Sequence, residues 1–129
     1  MSTNRKVIEA LYRAFKKKDY ETFEQLCHED IVWNQNPGFP KGSSYKGSKA
    51  VVENVFKSFD TSWQGWVFEI DNYYDAGDTI IVTGLYKGRY KETGKEFTSQ
   101  AAHVYRLRDG KVVAFQQYAD TKVICDVME

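Results

Sequence analysis

Apolar residues in the first half of the chain recur every three or four positions, which is the spacing of one face of a helix. The first such face contains Val7, Ile8, Leu11, Ala14 and Phe15. Asp19 then predicts the N-cap of a second helix, whose inward residues are Tyr20, Phe23, Leu26 and Cys27. A third helix is predicted from about Ser48, with Val51, Val52, Val55, Phe56 and Phe59 on its inner face.

From Trp66 onward the pattern changes to strand-like runs separated by Ala-Gly-Asp, Thr-Gly and Asp-Gly turns. The runs are WVFEIDNYYD, TIIVTGLYKGRYKE, KEFTSQAAHVYRLR and KVVAFQQYAD. Helices in one half and hairpins in the other favour an α+β fold, in which a curved antiparallel sheet wraps around three N-terminal helices. We expect residues 1–129 to form a single domain with an internal pocket.

Polar residues interrupt the last two predicted strands, and the Asp109-Gly110 turn decides which of them share a face. A two-residue type I′ turn would pair Arg108 with Lys111 and set His103 opposite Gln116. A three-residue turn would pair Leu107 with Lys111. That register would bring His103 onto one face with Tyr105, Leu107, Val113, Phe115 and Gln117.

Composition narrows the class of partner. The 129 residues contain 18 Lys plus Arg and 18 Asp plus Glu, so no net charge attracts nucleic acid or anionic lipid. No run approaches the ~20 apolar residues of a membrane span, and the charged N-terminus is unlike a signal peptide, so we expect a cytoplasmic protein without a membrane partner.

The Cys and His residues do not predict a metal site. Cys27 and Cys125 are far apart in sequence and are expected to be free thiols. In the stretch CHED, expected at the end of the second helix, consecutive side chains would point in different directions. His28 is expected to lie near that helix C-terminus and Asp30 to end the helix. We expect no metal and no cofactor.

The order of several motifs resembles that of a known protein family, and the resemblance covers nearly the whole chain. HEDIVWN, YKGRYKETGKEF, AAHVYRLRDGKV and QQYADT follow the helices in sequence. The chain resembles the SnoaL-like, ketosteroid isomerase-related branch of the nuclear transport factor 2-like superfamily. The resemblance implies a cone formed by a bent sheet and three helices, with a ligand cavity inside and a homodimer formed on the outer sheet face.

The resemblance also implies where site residues lie. His103 matches a cavity histidine of SnoaL-type cyclases, but the cyclase aspartate position is occupied by Gln117. The ketosteroid isomerase base position is occupied by Gln35, and the strand that carries an Arg and an Asp in limonene epoxide hydrolase shows Gly84 and Tyr86. The resemblance favours the three-residue turn, because that turn would place both His103 and Gln117 in the cavity.

These comparisons predict one candidate catalytic residue, His103, beside an apolar cavity of a few hundred Å³. The candidate ligand-binding residues are Trp33, Gln35, Tyr86, Tyr105, Phe115 and Gln117. The expected ligand is a small hydrophobic molecule. The chain is then an isomerase, cyclase or dehydratase that transfers a proton on a carbonyl compound, or a non-catalytic ligand-binding or dimerising domain.

The outer face of the sheet gives a physical reason to expect a homodimer. The residues expected there are Ala102, Val104, Val112, Ala114 and Tyr118. Together they would leave an exposed apolar patch.

Overall fold

A computed structural model describes residues 3–129 and opens with two helices. Helix α1 spans Thr3–Lys17 and buries Ile8, Leu11 and Ala14. Helix α2 spans Tyr20–Leu26. Its N-cap is Asp19, as predicted, because the Asp19 carboxylate accepts a hydrogen bond from the backbone N–H of Thr22 at 3.2 Å. None of the helices in residues 3–129 is long and apolar enough to span a membrane.

The third predicted helix forms as one irregular helical segment with three parts. These are α3 (Ser48–Val51), a single π-helical turn (Val52–Phe56) and α4 (Lys57–Ser62). All five residues of the predicted inner face are buried. The spacing of these five residues fits one face of a helix, and that face stays buried although a π turn interrupts the segment.

Six strands form one sheet in the order β2-β1-β6-β5-β4-β3. They are β1 (Cys27–Asn34), β2 (Ser44–Lys46), β3 (Trp63–Ala76), β4 (Thr79–Tyr90), β5 (Glu96–Arg108) and β6 (Lys111–Ala119). Strands β3 to β6 make the predicted antiparallel meander, but β1 pairs with β6 in parallel, so the sheet is mixed. The predicted α+β cone is confirmed, and its open sheet curves around the helices.

One element boundary and one additional helix differ from the sequence prediction. Cys27 begins β1 instead of ending α2, with extended backbone angles (φ −96°, ψ 143°). The expected placement of His28 and Asp30 on a helix is therefore wrong. Strand β1 buries Cys27, Ile31 and Trp33 in the core, and this tertiary contact outweighs the local helical pattern. An unpredicted helix, α5 (Thr121–Asp126), follows β6 and is capped by Asp120.

The turn between β5 and β6 combines features of both predicted registers. Arg108 pairs with Lys111, so the loop has two residues, Asp109 and Gly110, which both have positive φ (53° and 76°). The three-residue turn is therefore wrong.

A bulge in β6 nevertheless puts His103, Phe115 and Gln117 on one face, as the three-residue turn implied, but Val112 takes the inner position predicted for Val113. The pairing shifts by one residue between Leu107↔Val112 and Arg106↔Ala114, which leaves Val113 unpaired. His103 then pairs with Gln117. Because of the bulge, Val112 is fully buried, so its predicted place in the outer patch is wrong, and Gln116 faces outward opposite Val104.

Candidate functional site

His103 lies on the inner face of β5, with both ring nitrogens hydrogen-bonded to tyrosine hydroxyls. Its Nδ1 is 2.6 Å from Tyr12 Oη on α1, and its Nε2 is 2.5 Å from Tyr86 Oη on β4. Tyr105, two residues further along β5, donates its hydroxyl to Tyr12 Oη over 3.0 Å. We call Tyr12, Tyr86, His103 and Tyr105 the Tyr-His network.

Gln117 is a further hydrogen-bonding partner of Tyr86. Its Oε1 accepts the backbone N–H of Asn36 at 2.9 Å, and since a backbone N–H can only donate, this contact fixes the orientation of the amide. The Gln117 Nε2 therefore donates to Tyr86 Oη, at 2.9 Å. Asn36 is anchored in turn, because its Oδ1 accepts the N–H of Ala119 at 2.8 Å. Tyr86 Oη consequently accepts at least one hydrogen bond in every arrangement of protons.

The Tyr-His network contains one more proton than its internal hydrogen bonds use. A neutral imidazole carries one N–H, so one ring nitrogen of His103 donates and the other accepts. If Nε2 carries the proton, Tyr86 accepts from both His103 and Gln117, and its own hydroxyl proton is free. If Nδ1 carries the proton, Tyr12 accepts from both His103 and Tyr105, and its proton is free. In both tautomers one hydroxyl proton of a tyrosine that lines the neighbouring cavity has no acceptor among the described residues.

Burial keeps the network uncharged. His103 is only 5% exposed, and desolvation lowers its pKa from 6.5 to about 3. Burial also raises the pKa of Tyr12, Tyr86 and Tyr105 above the ordinary value for tyrosine. At neutral pH the imidazole therefore donates and accepts hydrogen bonds but is a poor base.

The network faces a small cavity, which we call the aromatic chamber. Its volume is about 40 Å³, so the predicted few hundred Å³ is wrong. The chamber is small because side chains fill it: Phe68 stacks on His103 with ring centres 4.2 Å apart, and Trp33 stacks on Phe115 at 3.8 Å. A water molecule occupies about 30 Å³ in the liquid, so the chamber accommodates a group of about that size.

A wider cleft between α1 and β3 adjoins the chamber, and we call it the mouth cleft. Its volume is about 660 Å³. It shares six lining residues with the chamber, which are Tyr12, Phe15, Phe56, Phe59, Trp66 and Phe68. The site thus has a wide aromatic entrance and a narrow inner end where hydrogen-bonding groups are concentrated.

The structure brings six of the seven predicted site residues to the chamber wall. They are Trp33, Gln35, Tyr86, His103, Tyr105 and Phe115. Gln117 does not line the chamber, because it is fully buried behind Tyr86. Gln35 has its Oε1 occupied by the Trp33 indole N–H at 2.8 Å, which leaves its amide nitrogen as a donor. The catalytic and ligand-binding roles of all seven remain predictions.

Two prominent chamber residues, Tyr12 and Phe68, were not among the candidates. Tyr12 lies four residues after Ile8 and three before Phe15, so its helical spacing alone would place it toward the core. Phe68 follows Trp66 by two residues on β3, and alternation along a strand would place both on one face. Neither signal indicates that these side chains meet a histidine from β5.

Acidic groups lie outside the chamber. Within residues 3–129 no Asp or Glu lines the chamber, whereas Glu9, Asp60 and Glu69 line the mouth cleft. Nor do three His, Cys, Asp or Glu side chains in this part of the chain lie close enough together to hold a metal ion. The groups that face the chamber are therefore neutral hydrogen-bonding groups, aromatic rings and two aliphatic side chains, Leu11 and Val55.

Comparison with known proteins places this architecture in a family. Residues 8–115 match the model of the SnoaL-like domain. An NTF2-like protein from Burkholderia thailandensis E264 is 35% identical, with a TM-score of 0.95 over 100% of this chain and 99% of that one. None of the curated proteins matches the chain.

Two more distant structures share the fold. A protein from Shewanella putrefaciens CN-32, described as a SnoaL-like polyketide cyclase, has a TM-score of 0.81 at 16% identity over 99% and 97% of the two chains. A protein from Catenulispora acidiphila DSM 44928 with a ketosteroid isomerase-like fold, in complex with trimethylamine, has a TM-score of 0.75 at 19% identity over 87% and 83%. At such identities the likeness concerns the fold alone.

The fold is thus that of the NTF2-like cones, of which the ketosteroid isomerase-like proteins are a part. Within this class the chain belongs to the SnoaL-like domain family, as its motifs predicted.

Proposed function

We propose that this protein binds a small, largely apolar carbonyl compound, with the carbonyl oxygen in the aromatic chamber and the apolar body in the mouth cleft. The observation that carries the proposal is the hydrogen-bond geometry of the Tyr-His network, whose contacts leave one hydroxyl proton without an acceptor among the described residues. A buried donor without an acceptor is unfavourable, and a carbonyl oxygen would satisfy it. The chamber volume of about 40 Å³ suits such a group, while the cleft of about 660 Å³ has room for a small molecule.

Binding is favoured over proton-transfer catalysis. Isomerisation, cyclisation and dehydration each need a group that removes a proton. His103, with a pKa lowered to about 3, is a weak base, and Gln35 and Gln117 cannot take a proton. The network supplies the half of such a mechanism that stabilises a developing negative charge on oxygen, and it lacks the base.

The proposal can be tested by comparing acetophenone with ethylbenzene, which has nearly the same shape but no carbonyl. Trp33 and Trp66 line the site, so their fluorescence would report binding. A purely apolar site would prefer ethylbenzene, because a carbonyl loses its hydrogen bonds to water on entry. The proposal predicts that acetophenone binds at least as tightly as ethylbenzene.

A matched pair of variants localises the effect. Val55 lines the chamber and Val52, although buried, does not, so Val55→Leu narrows the chamber and Val52→Leu is the control. We expect the Val55→Leu variant to bind ethylbenzene more tightly than acetophenone, as a purely apolar site would. Val52→Leu should leave the relative affinities of the wild type unchanged. A preference for ethylbenzene in the wild type would refute the proposal.

We further propose that two copies pair through the outer face of the sheet. Tyr118 and Ile70 are 56% and 37% exposed and line a shallow groove of about 790 Å³ together with Leu85 and Ala102. Exposed apolar side chains that adjoin one another are typical of an interaction surface.

A further inference from the structure

Three acidic and three basic residues line the mouth cleft, and the ion pairs around it use all the acids but not all the bases. Each of its three acidic residues is paired with a cation. Asp60 is 2.9 Å from Lys18, Glu69 is 3.0 Å from Lys87, and Glu9 is 3.6 Å from Arg5. These pairs leave no carboxylate of the cleft unpaired.

Two further cations of the cleft, Arg13 and Lys16, make no ion pair within residues 3–129. Burial and the nearby Glu9 raise the pKa of the cleft residue Tyr73, and the charges of Arg5 and Arg13 oppose this rise. Of the three cations that line the mouth cleft, Lys18 is paired with Asp60, whereas Arg13 and Lys16 are the two without an ion pair in the described part of the chain.

The position of Lys16 relates these two cations to the chamber. Lys16 follows Tyr12 by four residues on α1, so the two side chains start from the same helix face about 6 Å apart along the helix axis. Tyr12 reaches inward to His103, while Lys16 is exposed at the mouth. A bound molecule could thus contact the network at one end and the cations at the other.

We propose that the ligand is a small keto acid whose carboxylate binds Arg13 and Lys16 while its carbonyl oxygen binds the Tyr-His network. This inference rests on the proposed function and adds the charge of the ligand. An apolar segment between the two oxygen-bearing groups would pack against the shared aromatic wall, which includes Phe15, Phe59 and Trp66.

The test uses 4-oxo-4-phenylbutanoate and its methyl ester, which differ mainly in charge. A neutral cleft would bind the more apolar ester at least as tightly as the acid. We expect the wild type to bind the acid several-fold more tightly at low salt, with this advantage shrinking at about 0.5 M salt, where charges are strongly screened.

Variants then assign the effect to the two cations. Arg13→Gln/Lys16→Gln should weaken binding of the acid about five- to tenfold and change binding of the ester less than twofold. Lys6→Gln/Lys17→Gln removes the same net charge from exposed positions of α1 that do not line the cleft, and it should leave both affinities within twofold of the wild type.

The outcomes separate this inference from the proposed function. If the ester binds as tightly as the acid, or if both double variants weaken the acid equally, the inference fails while the carbonyl-binding site stands. If neither compound binds, the proposed function fails and the inference fails with it.

Discussion

The hydroxyl oxygen of Tyr12 lies 2.6 Å from Nδ1 of His103, although the two residues are 91 positions apart in sequence. This contact ties α1 to the middle of the sheet and closes the Tyr-His network on the side of the mouth cleft. Because both side chains also line the aromatic chamber, the same contact contributes to stability and shapes the candidate site.

Removing the Tyr12 hydroxyl should therefore destabilise the protein. Tyr12→Phe leaves Nδ1 of His103 and the hydroxyl of Tyr105 each without a partner, and we expect the free energy of unfolding to fall by about 1–3 kcal/mol. Tyr73→Phe is the matched control, because the Tyr73 ring packs against Tyr12 but its hydroxyl makes no hydrogen bond among the described residues. Urea unfolding would measure both, and equal losses would show that the hydroxyl of Tyr12 contributes nothing particular.

The buried imidazole predicts a specific dependence of stability on pH. The pKa of His103 is lowered from 6.5 to about 3 on folding, so between these values the unfolded chain binds a proton that the folded protein does not. The stabilisation is complete above pH 6.5 and is lost as the pH falls toward 3. From pH 7 to pH 5 this group alone should remove about 2 kcal/mol.

His103→Gln removes this titration while all other groups remain. We expect its free energy of unfolding to change by about 2 kcal/mol less than that of the wild type between pH 7 and pH 5. Identical pH profiles for the two proteins would mean that His103 titrates normally in the folded state.

A glycine on β4 determines how closely Phe68 can approach. Gly84 pairs with Ile70 on β3, and a Cβ there would overlap the carbonyl oxygen of Glu69 and lie 2.8 Å from the Phe68 ring. Gly84→Ala should therefore displace β3 and the Phe68 ring that covers His103, at a cost of about 1–3 kcal/mol. In Gly88→Ala the nearest atom is a ring carbon of Phe97 at 3.2 Å and no backbone atom comes closer, so calorimetry should show a smaller loss. The reverse order would contradict this packing.

Gln117 and Gln116 are adjacent in sequence but should respond differently to the same substitution. Gln117→Glu puts a carboxylate in a fully buried site, where desolvation raises its pKa above the ordinary value of about 4.3. We expect a large loss of stability at pH 7 that diminishes as the pH is lowered and the carboxyl group takes up a proton. Gln116→Glu, on the outer face, should change the unfolding free energy little. Chemical unfolding at pH 7 and pH 4.5 would decide, and similar effects at the two positions would contradict the bulged register.

The proposed dimer makes a separate prediction. Sedimentation at micromolar concentration should give a species of twice the 15.0 kDa chain mass. Tyr118→Lys should shift it to the monomer, whereas Tyr74→Lys, at a site that is 50% exposed but outside the groove, should not. A wild-type protein that sediments only as a monomer would rule out the pairing.

The sequence predicted those features that depend on local patterns. The helix faces around Leu11 and Phe59 and the cap at Asp19 follow from side-chain spacing and local hydrogen bonding, and the structure contains them. The strand at Cys27 was not predicted, because it forms by pairing with β6, a distant segment.

The candidate site was predicted only in part for the same reason. The pairing of His103 with Gln117 depends on a bulge at Val113, which no turn residue specifies. The volume of the chamber depends on how Phe68 stacks over His103, a contact between strands that are not adjacent in the sheet. Residue types and alternation indicate which side chains face inward, but they do not determine how much space these side chains leave.

The most direct test of the central claim is the infrared absorption of carbonyl-labelled acetophenone bound to the wild-type protein. A hydrogen bond from the Tyr-His network would lower the carbonyl stretching frequency well below its value in a hydrocarbon solvent, and we expect one narrow band at such a lowered frequency. A bound ketone that absorbs at the hydrocarbon frequency would contradict the account, because its oxygen would then have no donor in the chamber.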